Sequence, residues 1–232
     1  MTAPPELLTP TSPAEAAAAF GDGAGVTVLA GGTILLPELT YGKLRPTRVL
    51  MVGRAGMSGV EASNDVVRIG AATPVGELAG APEPLVTAAR HVADVEIRAV
   101  GTIGGNLCAT AGDSAPRGDL QAPLLALGAR ITSAGAGGET TEDITAFLER
   151  GTGRLVLSIE VPTGQAFGYS RLDRPHPNGS CRLVAAARRN GSSRLQTGQR
   201  GGLGVHPAGK LGTFESRRHP FARDIQRRKQ FL

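Results

Sequence analysis

Apolar residues along this chain gather in short bursts separated by glycine, proline and acidic clusters. Val26–Ala30 (VTVLA), Arg48–Val52 (RVLMV), Asp65–Thr73 (DVVRIGAAT), Ala129–Ala134 (ARITSA), Arg154–Pro162 (RLVLSIEVP) and Phe167–Leu172 (FGYSRL) have the length and branched-residue content of strands. Helical patterns lie between them. Ser12-Pro13-Ala14-Glu15 precedes an alanine run. Ser12 can cap that helix, Pro13 suits its first position, and Glu15 can close a capping box. The helix should end near Gly21. A short helix is expected from Thr73-Pro74, and the longest over Glu83–Val100 (EPLVTAARHVADVEIRAV). Leu120–Ala129 predicts a helix stopped by Gly128, and Thr140–Arg150 (TTEDITAFLER) one with acids in its first turn. There is no internal repeat. Interleaved short strands and helices give an α+β or α/β body.

Past Arg188 this grammar stops. The stretch to Leu232 sustains neither a period of 2 nor one of 3.6, and Gly, Arg, Ser and Gln dominate, so it is expected to be disordered or poorly packed. Charge divides at the same point. Residues 1–187 hold 14 Lys and Arg against 18 Asp and Glu, whereas residues 188–232 hold 11 against 2. The overall +5 therefore belongs to the tail. The mildly acidic body gives no reason to expect nucleic-acid binding. The tail lacks aromatics interleaved with arginine for base stacking. No apolar run is long enough to span a membrane, and the N-terminus lacks a basic segment followed by a compact apolar one. Cys108 and Cys181 lie far apart with no CxxC, which argues against a disulfide framework or zinc site and for a reduced, cytoplasmic protein.

Chemistry is concentrated in two glycine turns that follow apolar segments, Leu29–Pro37 (LAGGTILLP) and Val100–Leu107 (VGTIGGNL). Five of the twenty residues from Gly101 to Leu120 are glycine, which argues against a helix or strand interior and for a backbone that something else approaches closely. Each turn would expose several consecutive N–H groups, and two facing turns could hold a pyrophosphate. Neither matches GxGxxG. Asp119 follows the second turn. It can cap a helix or accept hydrogen bonds from sugar hydroxyls of a nucleotide. Other signals are weaker. Gly204–Leu211 (GVHPAGKL) misses the phosphate-loop pattern at its last position, and Ser114 has no identifiable base or GxSxG frame. His91 falls in a helical pattern, and Cys108 reads as a small filler beside the turn.

Taken together, LAGGTILLPEL, GTIGGNLCATAGDSAPRGDLQAPLLALGA, RLVLSIEVP and YSRL resemble the FAD-binding medium subunit of molybdenum hydroxylases, the family of carbon monoxide dehydrogenase and xanthine dehydrogenase. The order and spacing agree over about residues 10–187. The resemblance implies that Ala30, Gly31, Gly32, Thr33 and Ile34 contact FAD, as do Thr102, Ile103, Gly104, Gly105 and Asn106. It implies that Asp119 binds FAD hydroxyls, with Asp113 of the same loop a lesser candidate, and that Leu155 to Ser158 lie near the adenine or flavin. Arg171 stands where a lysine is usual. The implied fold is an α+β, two-subdomain FAD-binding unit of the PCMH type: residues 1–58, then 59–163. A C-terminal domain begins at 164–187, and the basic tail at 188–232 leaves it incomplete or atypical. A shifted reading frame or a genuine basic tail would both give such a run. The implied role is electron transfer from a partner iron–sulfur subunit through FAD to NAD or a quinone, beside a molybdenum-cofactor subunit that oxidises the substrate. No catalytic or metal-binding residue is implied here. A stand-alone flavin oxidoreductase and a nucleic-acid-binding protein remain as alternatives.

Overall fold

A computed structural model describes residues 4–109, 118–151, 153–164, 166–172, 183–189, 193–199 and 202–208. The N-terminal elements are β1 (Glu6–Leu8), α1 (Pro13–Phe20), β2 (Val26–Leu29), α2 (Leu35–Thr40) and β3 (Arg48–Met51). β3 lies between β1 and β2 in a parallel three-stranded sheet. Parallel neighbours need a crossover, and α2 supplies it between β2 and β3, while α1 carries the chain from β1 at one edge to β2 at the other. Ser12 caps α1 as its sequence predicts, its side chain accepting from the Glu15 amide, and Gly21 ends the helix at φ 60°. Glu15 reaches one residue further back than a capping box requires. Its carboxylate accepts from the Thr11 amide at 2.7 Å and the Thr11 hydroxyl at 2.8 Å.

Those bonds, the Thr11 amide foremost, hold the Glu15 carboxyl below its ordinary range. A lowered folded value means that the charged form is favoured by folding. The contribution is complete above the ordinary carboxylate range and is lost as pH falls through the folded value. Glu15→Gln should therefore lower Tm slightly near neutrality and match the parent in strong acid. A Tm difference that is constant across an acid titration would show that the Thr11 bonds carry no charge dependence.

The larger layer is a five-stranded antiparallel sheet. Its strands are β4 (Val60–Ala62), β5 (Val66–Gly70), β6 (Arg130–Gly135), β7 (Gly138–Asp143) and β8 (Leu155–Pro162), in the order β4-β5-β8-β6-β7. Helices α3 (Leu85–Arg90), α4 (Val95–Val100), α5 (Ile103–Cys108), α6 (Gln121–Leu127) and α7 (Ile144–Arg150) connect and cover it. The main core joins Val67, Ile69, Ile131, Val156, Ile159 and Val161 of the sheet to Leu85, Leu107, Leu124 and Phe147 of the helices. A second core joins α1 and β3, through Ala16, Phe20 and Leu50, to Ala134, Leu155 and Leu157. β8 serves both cores because its pairing with β6 slips between Ser158 and Val156, leaving Leu157 as an extra residue.

Four expectations are corrected here. The helix expected over 83–100 is two helices. Asp94 caps the second through the Ile97 amide, and Ala93 before it is left-handed at φ 42°. Thr140–Asp143 belong to β7, because the Gly137 and Gly138 turn folds them back onto β6, and Asp143 becomes the cap of α7. Gly104 and Gly105 lie inside a helix, α5, started by the Thr102 cap. Of the tail past Arg188, expected to be disordered or poorly packed, residues 193–199 and 202–208 run in strands, and 209–232 lie outside the described residues. β9 (Ala166–Leu172) pairs with β10 (Leu183–Arg189), and β11 (Ser193–Gln199) with β12 (Gly202–Ala208), both antiparallel. Ladder hydrogen bonds use only main-chain groups, so a glycine-rich pair can form them without side-chain alternation.

Candidate functional site

Gly31 places its Cα where a Cβ would run into the carbonyl oxygen of Val100 and come within 2.9 Å of the Gly101 Cα. Gly101 is tight too, though less so: its own Cβ would lie 2.8 Å from the Ile97 carbonyl and 3.5 Å from the Thr33 hydroxyl. The two glycine motifs are thus in backbone contact, which only residues without side chains permit. Gly32 is left-handed at φ 72°, which turns the chain from β2 into α2. Among the described residues, the N–H groups of Gly31, Gly32, Thr33 and Ile34 donate to no other protein group. Buried or half-buried N–H groups without partners are rare, so this turn offers donors to whatever occupies its neighbourhood.

The second motif is built differently. The Ile103 amide donates to Thr73 O and the Gly104 amide to Ala71 O. The Gly105 amide donates to the Thr102 hydroxyl at 3.1 Å, and the Asn106 amide to Thr102 O. All four donors expected for a second cradle are spent inside the protein. Gly104 is glycine because α5 presses onto Ala71, whose Cβ would lie 2.9 Å from a Cβ there. Asn106 holds the next segment. Its Oδ1 accepts from the Leu120 amide at 2.9 Å, and Gly118 has no room for a Cβ against the Asn106 carbonyl.

Between these parts lies a cleft of about 820 Å³. That is near the top of the range of roughly 300–1,000 Å³ for ligand sites. Ala30 to Ile34, Thr102, Gly104, Gly105, Asn106 and Leu155 all line it. Ile103 is fully buried in the core instead. Asp119 is half-buried in the turn before α6, outside the lining, and engaged in an interaction of its own. Arg171 stands in β9 opposite Val184. Asp113 lies outside the described residues.

The lining also holds residues that the sequence reading passed over. Arg154 is fixed by the β6–β7 hairpin: its Nε donates to Ser133 Oγ at 2.8 Å and its guanidinium to the Ser133, Ala136 and Gly138 carbonyls. Gln121 opens α6, a helix in which every residue is buried. A lone amide in such an apolar run was the available signal. Cys108 also lines the cleft. Its side chain keeps some exposed surface, yet enough protein surrounds the sulfur to push the thiol up to about 11. It is a neutral thiol near pH 7, and not a nucleophile. Among the described residues no group of three His, Cys, Asp or Glu side chains could hold a metal ion, and no helix is long and apolar enough to cross a membrane.

Residues 3–164 match the family described as FAD binding domain in molybdopterin dehydrogenase. The chain is 32% identical over 134 residues to caffeine dehydrogenase subunit beta of Pseudomonas sp. (strain CBB1), covering 54% of this chain and 44% of that one. It is 29% identical over 187 residues to the carbon monoxide dehydrogenase medium chain of Hydrogenophaga pseudoflava, covering 73% and 63%. The chain therefore spans less than two thirds of the length of these relatives. Among solved structures, carbon monoxide dehydrogenase from Hydrogenophaga pseudoflava superposes with a TM-score of 0.68 at 27% identity, covering 84% of this chain and 75% of that one. Quinoline 2-oxidoreductase from Pseudomonas putida 86 gives 0.70 at 21% identity, covering 89% and 78%, a likeness of fold.

Proposed function

Because the chain belongs to the family of FAD-binding domains of molybdopterin dehydrogenases, we propose that it is the flavoprotein subunit of a molybdenum hydroxylase complex. It is an oxidoreductase component that takes electrons from a partner's iron–sulfur clusters and passes them to NAD or a quinone. A molybdenum-cofactor subunit oxidises the substrate. Relatives named as medium chains and as a subunit beta support the multi-subunit reading.

FAD fits the residues present. The observation that carries the reading is the Gly31–Ile34 turn, whose residues line a cleft of dinucleotide size and whose N–H groups have no acceptor among the described residues. Those N–H groups would hold the diphosphate, since converging amide dipoles favour an anion. α5 would contribute shape, with Gly105 exposed at the wall and Thr102 closing the helix start. Leu155, Val156 and Phe147 would cover an aromatic ring with apolar surface and exclude water. When bound, the flavin supplies the exchange between one-electron and two-electron steps.

A stand-alone flavin oxidoreductase would need an acid–base pair beside the ring. The only titratable residues among the described lining are Glu38, Cys108 and Arg154, and the thiol is protonated. That reading is the weaker one. The test is direct. Protein purified with its chromophore should release all of it on acid precipitation, as FAD. Release of FMN, or a flavin that stays with the pellet, would overturn the noncovalent FAD site.

A further inference from the structure

We infer that the side-chain carbonyl of Gln121 is a hydrogen-bond acceptor for an N–H or O–H donor of the bound dinucleotide. The inference rests on the FAD reading and adds a binding residue to that site. Gln121 is 6% exposed and lines the cleft. Its Nε2 donates twice, to Leu107 O at 2.7 Å and to Ala109 O at 3.1 Å. Two carbonyl acceptors fix which end of the amide is nitrogen, and they consume both of its protons. The other end, Oε1, is buried and has no hydrogen-bond partner among the described residues. A buried amide oxygen without a partner is costly, so such an atom calls for an explanation in a ligand or a bound water. Here it belongs to a residue that lines the cleft.

The geometry also sets the kind of ligand group. With its protons committed, Gln121 can only accept, so it selects a neutral donor and disfavours an anion. FAD carries three such classes of donor: the imide N3–H of the flavin, the ribityl and ribose hydroxyls, and the amino group of adenine. The diphosphate belongs elsewhere, at the Gly31–Ile34 turn. Gln121 also ties the end of α5 to the start of α6, so removing it could act through structure alone. The experiment must separate the two roles.

The full-length protein, stripped of flavin, is titrated with FAD and with analogues that remove each donor in turn: N3-methyl FAD, FADs lacking each ribityl or ribose hydroxyl singly, and FAD bearing a dimethylated adenine amine. Affinity is read by flavin fluorescence in the parent, in Gln121→Met and in Gln121→Asn. One analogue should bind the parent about tenfold more weakly than FAD, the loss of one hydrogen bond that leaves a buried acceptor unpaired. That penalty should shrink to less than about twofold in a Gln121 variant, whatever the variant's overall affinity. A merely structural residue would weaken FAD and every analogue alike. Equal binding of all analogues by the parent, or an analogue penalty unchanged by substitution, would overturn the assignment and leave Oε1 to water. If Gln121→Met does not fold, Gln121→Asn, which keeps the amide but withdraws it by one methylene, gives the same comparison. Failure of the parent to bind FAD at all would overturn the flavin reading itself, and the assignment with it.

Discussion

Gly31→Ala is expected to leave the protein without flavin. The added Cβ overlaps the Val100 carbonyl, so the turn and the α4–α5 junction must part. The turn then no longer presents the Gly31 to Ile34 amides from its present position on the cleft wall. A hydrogen bond to a charged group contributes about 1.5–3 kcal/mol. Losing two of them weakens binding on the order of 100-fold or more. The body should persist, because Gly31 lies outside both buried cores. The measurement is flavin per protein after desalting, with circular dichroism alongside. An FAD affinity within threefold of the parent would show that the contact of the two glycine motifs does not shape the site.

Gly104→Val is expected to fail at a different level, in folding. A Cβ there meets the Ala71 carbonyl at 2.8 Å and the Ala71 Cβ at 2.9 Å, both in the packed core beside β5. Overpacking of a well-filled core costs about 3 kcal/mol in severe cases. For a chain of this size that lowers Tm by roughly 10 °C. Gly105→Ala is the contrast. Gly105 is exposed, is helical, and a Cβ there meets only the Thr102 hydroxyl at 3.1 Å. Thermal melts of the three apoproteins check the pair. Equal Tm for Gly104→Val and the parent would mean that α5 does not press on Ala71.

These two glycines look alike in TIGGN, and the sequence cannot tell them apart. Their neighbours differ only through the tertiary approach of Ala71, thirty-three positions earlier. The same limit explains the donors. A glycine-rich turn after an apolar segment reads as a row of open amides. In the first motif they are open, but in the second Thr73, Ala71 and Thr102 have taken them. Local chemistry was legible where one residue sets the backbone: the Ser12 cap, the Gly21 and Gly128 stops, the β8 strand ending at Pro162. It was illegible where pairing decides. Thr140 to Asp143 have helix-start residues, yet the β6 ladder claims them. β1 and β4 are three-residue strands, too short to carry a period. That the two glycine motifs meet was legible from their resemblance as a pair, and the reason is the missing Cβ atoms of Gly31 and Gly101.

The extra residue at Leu157 bears on how the molecule comes apart. One strand lends Leu155 and Leu157 to the core under the parallel sheet, and Val156, Ile159 and Val161 to the core under the helices. Neither core can melt without stripping side chains from the strand that the other needs. The two layers are therefore thermodynamically one unit despite having separate sheets, and heat or denaturant should disassemble the elements from β1 to β8 in a single cooperative step. Exchange of the cofactor then proceeds by local opening at the cleft rim, since a hinge between the layers would have to bend β8 through both hydrophobic interiors at once.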